Sequence, residues 1–234
     1  MTFNNTKLIG TKSIKAISKQ SNRNFLFLSS ILFLLASCAS TPSTQNTESL
    51  FEQGVYANEQ DKKTKAFQLF EQACAMNHPT ACFNVGVHYN TGKGVKVNKA
   101  QASQFWEKSC KLGVAKGCGA LAHNYEQGIG VAQNYTQAFK YYTEACEQGH
   151  ALSCSGVGQL YENGRGVRQN MQQANRFFEK SCTNGEPLGC NALGLSYYVG
   201  KGVKQNRAAA KEYFGIACDL GYQNGCDLYK KLNQ

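Results

Sequence analysis

Eleven cysteines in a chain of 234 residues are the side chains best equipped for chemistry. A thiol can be a nucleophile, a metal ligand or half of a disulfide, and spacing and compartment decide which. Ten of the eleven fall into two columns with a constant interval of 36 residues: Cys74, Cys110, Cys146, Cys182 and Cys218, then Cys82, Cys118, Cys154, Cys190 and Cys226. Zinc sites usually take ligands two to four residues apart with a second pair close by. Here seven residues separate the members of a pair and the next pair lies a whole repeat away. The period therefore selects local disulfides, 74–82, 110–118, 146–154, 182–190 and 218–226, each closing a loop worth about 2.5 kcal/mol on chain-entropy grounds. No metal or other cofactor is expected.

Hydrolytic chemistry has less support. No serine has a lysine three residues on, and Ser-Asp-Asn, Lys-Thr-Gly, Gly-x-Ser-x-Gly and His-Glu-x-x-His are all missing. Of the four histidines, His78 and His150 share a turn position expected to be solvated, and His88 and His123 belong to successive units. Glu126 and Glu162 share a column one repeat apart, read as a solvated face rather than an acid–base pair. A recurring turn, TGKGV, QGIGV, NGRGV and VGKGV, has no following Gly-Lys-Ser/Thr. It reads as backbone geometry with positive φ, not as a phosphate loop. No catalytic residue is assigned.

The remaining cysteine, Cys38, belongs to a different signal. Residues 1–37 carry five basic groups and no acid, and Phe25 to Ala36 is a 12-residue apolar run. That is too short for a confident span, which needs about 20 residues, and fits a signal-peptide core. The run ends Leu35-Ala36-Ser37-Cys38, which resembles the bacterial lipobox. That resemblance implies cleavage before Cys38 and lipidation of Cys38; an ordinary secretory signal cut at a small-residue site is the alternative. Ala39 is not Asp, so by the same resemblance nothing retains the protein at an inner membrane. The expected organisation is a lipoprotein signal at 1–37, a small polar tether at 38–48 and a folded region at 49–234.

The elements that must position the cysteines follow from other columns of the same period. One is small: Ala66, Ala102, Ala138, Ala174 and Ala210. Two are large: Leu69, Phe105, Tyr141, Phe177 and Tyr213, then Phe70, Trp106, Tyr142, Phe178 and Phe214. Ala66, Leu69, Phe70 and Ala73 sit at i, i+3, i+4 and i+7, one face of a helix. Asn98, Asn134, Asn170 and Asn206 precede the equivalent helices as N-caps, and Gly113, Gly149, Gly185 and Gly221 follow them, with Asn77 in the first unit. A second, shorter helix, Thr80 to Asn90 and its copies, carries Cys82, Val85 and Tyr89 on one face.

These columns resemble the Sel-1-like repeat, a relative of the tetratricopeptide repeat, over residues 49–234. The resemblance implies an all-α, right-handed α-solenoid of tandem helix-turn-helix repeats, here stapled by disulfides. The cysteine pairing is similar to the Hcp-like branch of secreted proteins, some of which are assigned weak β-lactamase or penicillin-binding activity. Solenoids commonly bind along a concave face. Columns that vary between units were therefore the candidate partner-binding positions: Val87, His123, Gln159 and Leu195, and His88, Asn124, Leu160 and Ser196. Their mixture fits a protein, peptide or glycan partner, with peptidoglycan or a β-lactam as the alternative ligand. Residues 38–234 hold 20 basic and 15 acidic side chains with no long basic run, which argues against nucleic acid. The expected location is the cell envelope, lipid-anchored on the periplasmic side of the outer membrane, or secreted.

Overall fold

The computed structural model describes residues 42–234, so the signal segment and Cys38 lie outside the described residues. The described residues form eleven helices in chain order and no strand: α1 Pro42–Glu59, α2 Lys63–Ala75, α3 Pro79–Thr91, α4 Lys99–Lys111, α5 Ala115–Gln127, α6 Tyr135–Glu147, α7 Ala151–Asn163, α8 Met171–Thr183, α9 Pro187–Val199, α10 Arg207–Asp219 and α11 Gln223–Leu232. Each helix packs chiefly on its neighbours in sequence, which is a solenoid of hairpins. No described helix is long and apolar enough to cross a membrane.

The capping residues act as their types dictate. Asn98, Asn134 and Asn170 each accept from the backbone N–H three residues on, at 3.0 Å, and Asn206 accepts from Ala208 and Ala209. Gly113, Gly149, Gly185 and Gly221 have φ of 82 to 88°, and Asn77 reaches 63°. Two expectations need correction. The helices of a unit do not differ in length: α2 to α10 are all 13 residues, because the Gly-x-Gly turn lets α3 and its copies run to the residue before the first glycine. Nor is 38–48 wholly a tether. α1 begins at Pro42, a residue whose fixed φ suits a helix start. Tertiary contacts hold this helix: Phe51 stacks on His78 at 4.3 Å and Glu48 lies 3.2 Å from His78 Nε2.

The hairpin interior is built from small residues facing large ones. Ala66, Ala102, Ala138, Ala174 and Ala210 are at most 1% exposed. Gly86, Gly158 and Gly194 lie on the rings of Trp106, Phe178 and Phe214, with room for no side chain. Tyr89, Tyr125, Tyr161 and Tyr197 stack on Phe105, Tyr141, Phe177 and Tyr213, the aromatics of the next α4-type helix, at 5.6–5.8 Å. At one edge five disulfides, 74–82, 110–118, 146–154, 182–190 and 218–226, join adjacent repeats with Cα separations of 4.5–4.7 Å.

The opposite edge is closed by the Gly-x-Gly turns, and both glycines have φ of 67 to 80°. The first glycine caps its helix; the second lies on backbone. A Cβ at Gly94 would fall 2.4 Å from Lys63 C and O, and one at Gly130 would fall 2.3 Å from Lys99 C and O. Gly166 and Gly202 meet Tyr135 and Met171 in the same way. Gly113 shares the left-handed conformation but has open space around it. Gly113→Ala is expected to cost about 1 kcal/mol of left-handed strain. Gly130→Ala, which adds a clash with backbone, is expected to cost at least twice as much (about 2–4 kcal/mol). Urea unfolding of the two variants checks the ranking.

Candidate functional site

One groove of about 600 Å³ opens between α5 and α7, with Phe83 of α3 and Leu188 of α9 at its ends. Its floor is small, Gly119, Ala120 and Gly156, because these helices approach closely. A Cβ at Gly119 would lie 2.7 Å from Ser153 Oγ and 2.9 Å from His150 Nδ1. Leu152 forms an apolar wall, while His123, Gln127 and Gln159 stand at the rim with Lys116. His123 and Gln159 are exposed there, at equivalent positions one repeat apart. Val87 and Leu195 occupy the same column on α3 and α9, half-buried and exposed, but do not line the groove.

The second expected column is internal. His88, Asn124, Leu160 and Ser196 are 4%, 2%, 1% and 4% exposed, so none of them is free to touch a partner. A residue one step along a helix turns by about 100°, and that turn carries this column from the groove into the hairpin. There each side chain is matched to a residue of the paired helix. Phe67 and His88 rings meet at 5.9 Å, Asn124 Nδ2 donates to Ser103 Oγ at 2.7 Å, and Leu160 shares a core cluster with Phe139. The neighbouring apolar position adjusts in step: Val85 and Val157 accompany the phenylalanines, Leu121 and Leu193 accompany Ser103 and Asn175.

Several of these groups also satisfy the carbonyl at the centre of a Gly-x-Gly turn. The His88 ring bonds Lys93 O, Ser103 Oγ reaches Ile129 O at 3.4 Å, and Asn175 Nδ2 donates to Lys201 O at 2.8 Å. In three units this column or its partner supplies the turn carbonyl with a donor, while Phe139 and Leu160 fill the equivalent space with apolar atoms.

The polar groups at the groove are buried more deeply than their sequence positions imply. Tyr142 donates to Glu126 Oε2 at 2.9 Å; burial first, then the Glu126 charge, pushes the phenol far above its usual range and keeps it protonated. Glu126 is therefore not on a plain solvated face, whereas Glu162 pairs with Lys201 at 2.7 Å on the loop side. His150 is half-buried at the start of α7, with Nδ1 2.7 Å from Ser153 Oγ, and burial followed by the Lys116 charge lowers its pKa. His78 accepts from Ala81 N at 3.0 Å as a helix cap. Both turn histidines are structural partners rather than solvated side chains.

Ser153 and His150 have the types of a nucleophile and base, but Ser153 is 1% exposed and fills the contact of α5 with α7. A second grouping, Cys110, Cys118 and Glu144, brings potential ligand atoms together, yet its two sulfurs are bonded to each other and offer no thiolate.

Two outcomes are expected from these contacts. Asn124→Leu removes the donor to Ser103 Oγ, which keeps Lys99 O and Ile129 O as partners, and costs about 2 kcal/mol. Adding Ser103→Phe and Leu121→Val, the third unit's set, recovers at least about 1 kcal/mol of that loss in urea unfolding. A triple variant no more stable than Asn124→Leu contradicts the matching. His88 and His150 both have pKa values lowered by burial, so each is held neutral in the fold. The unfolded chain then takes up protons first. Their contribution is complete above about pH 6.5 and is lost as pH falls through the folded values. Imidazole C2–H resonances of both residues should titrate below that point, and stability should decline over the same interval.

The sequence profile described as the Sel1 repeat matches residues 50–78, 79–114, 115–150, 151–186 and 187–222. Among solved structures, the chain is similar to c5321, a protective antigen present in uropathogenic Escherichia coli strains displaying an SLR fold. That match has 30% identity over 78% of this chain and 40% of that one, with a TM-score of 0.73. A Sel1 repeat protein from Oxalobacter formigenes has 29% identity over 73% of this chain and 70% of that one, with a TM-score of 0.68. Helicobacter pylori cysteine rich protein B has 33% identity over 57% of this chain and 96% of that one, with a TM-score of 0.47. The chain spans 40% of the length of the Escherichia coli antigen. No curated protein sequence matches it.

Proposed function

This chain belongs to the Sel1 repeat family, and on that premise we propose that it is a non-catalytic scaffold of the cell envelope, anchored through Cys38. It grips an apolar segment of a protein or peptide partner in the α5–α7 groove. The observation that carries this reading is the groove itself: small residues for a floor, apolar ends in Phe83 and Leu188, and exposed His123 and Gln159 at the rim. Such a site takes up an apolar side chain and leaves rim donors for the flanking backbone or for a glycan hydroxyl. Five disulfides support an oxidising, non-cytoplasmic compartment. The β-lactam alternative draws little from the geometry, since both serines lining the groove, Ser153 and Ser155, are buried and hydrogen-bonded.

Ala120 lies half-buried on the groove floor, so Ala120→Trp fills the site from an otherwise tolerant helix position. A photo-crosslinking residue at Gln159 is expected to capture an envelope protein, and Ala120→Trp to lower that capture by about tenfold, near 1.4 kcal/mol. The same crosslinker at Arg176, exposed on α8, should give no adduct with it. Equal capture from both positions, or indifference to Ala120→Trp, sinks the groove as the binding site. Turnover of a chromogenic cephalosporin by the purified chain would replace this reading with the hydrolytic one.

A further inference from the structure

The Gly-x-Gly turns do more than close the hairpins. Because the second glycine of each turn lies on the start of the preceding α2-type helix, the turns follow one another along a single edge. The segments that make this edge are 59–65, 91–101, 127–137, 163–173 and 199–209. They hold eleven of the 20 lysines and arginines of the folded region and two acids, Glu59 and Asp61. The disulfide edge carries Lys111 and Lys116 against Glu147, Glu186 and Asp219. Positive charge scattered along the sequence is therefore gathered by the 36-residue period onto one side of the solenoid. The uncharged middle turn, with Ile129 and Ala132, divides it into two clusters.

Folding accounts for only part of this charge. Lys63 pairs with Asp61 and Lys201 with Glu162, but Lys93, Lys96, Arg168, Lys204 and Arg207 are exposed with no ion-pair partner among the described residues. Lys63 and Lys99 cap the ends of α1 and α3, their Nζ atoms donating to Asn58 O and Asn90 O at 2.6 Å, whereas Arg207 opens α10, where the helix dipole favours acids. None of α2, α4, α6, α8 or α10 has an acid in its first turn. The same edge carries conspicuous exposed apolar side chains: Tyr56 at 64%, Val97 at 50% and Val199 at 60% exposure. Tyr56 shares a hollow with Lys62, Lys65 and one acid, Glu52. A soluble polyanion gains nothing from aliphatic tips such as Val97 and Val199, since phosphate chains are held by cations and nucleic-acid bases by aromatic faces. Cations interleaved with protruding aromatic and aliphatic tips match a bilayer, whose anionic headgroups meet the charges and whose acyl boundary takes the tips.

We infer that this loop edge is a docking surface for an anionic phospholipid bilayer, separate from the groove. The test uses the full chain with phosphatidylcholine vesicles prepared with and without phosphatidylglycerol. The phosphatidylcholine arm accounts for the apolar N-terminal run, and the charge-reversed chain, which keeps the five basic groups of residues 1–37, accounts for theirs. Phosphatidylglycerol is expected to raise binding by at least about tenfold at low salt, with the increment lost at high salt. Lys93→Glu, Lys96→Glu, Arg168→Glu and Lys204→Glu together should cut the increment several-fold, to what the N-terminal basic groups supply, while leaving the melting temperature unchanged. Val97→Ser with Val199→Ser should reduce vesicle binding several-fold, and Ala120→Trp should leave it intact, which separates this surface from the groove. An increment undiminished by the four charge reversals overturns the inference. So does equal binding of wild type and the valine variant together with full competition by inorganic polyphosphate, which would mark a site for soluble polyanions.

Discussion

At each passage from one repeat to the next, two backbones are held in close approach at both edges. On one edge a disulfide holds Cα atoms 4.5–4.7 Å apart. On the other, the second glycine of a Gly-x-Gly turn rests on the first residue of the preceding α2-type helix. A hairpin pinned at both ends cannot slide or rotate against its neighbour without breaking one of these contacts. The groove, the aromatic stacks and the row of loops all inherit their positions from that double constraint. Covalent closure also narrows the unfolded ensemble, so the constraint acts on both sides of the folding equilibrium.

Within this frame the interior tolerates chemical variety that a single large core would reject. Phe67 with His88, Ser103 with Asn124, and Phe139 with Leu160 occupy equivalent sites, two of them with polar atoms that must find partners. They can differ because each hairpin packs chiefly on its neighbours in sequence, so a polar substitution is answered locally. Variation between repeats is thus of two kinds. Some of it, as at His123 and Gln159, faces the groove; some, one residue further on, reflects internal matching alone.

Two surfaces of different character result. The α5–α7 groove is narrow, apolar at its floor and ringed by a few polar groups, as suits a segment of chain. The loop edge is wide, cationic and studded with exposed apolar tips, as suits a surface. Because one lies on helix faces and the other on helix ends, Gln127 is the one groove-lining residue that also belongs to the loop edge.

Much of the fold was legible in the sequence because its strongest constraints are local and repeated. Cysteines eight positions apart, Asn caps and glycine stops act through a few neighbouring bonds, and the 36-residue period multiplied each signal. Column membership also grouped the aromatics by role: Phe70 and its equivalents are buried, Leu69 and its equivalents half-buried. What the sequence could not supply was direction. It offered His88 and His123 equally as binding residues, although a single helical step buries one and exposes the other. It placed the start of folding at Ser49, although Glu48 and Phe51 tie α1 to His78, a contact made from far along the chain. Basic residues that form no run in sequence became an edge only when the hairpins stacked. Periodicity fixes which residues are equivalent; only packing decides which way equivalent residues point and which distant ones become neighbours.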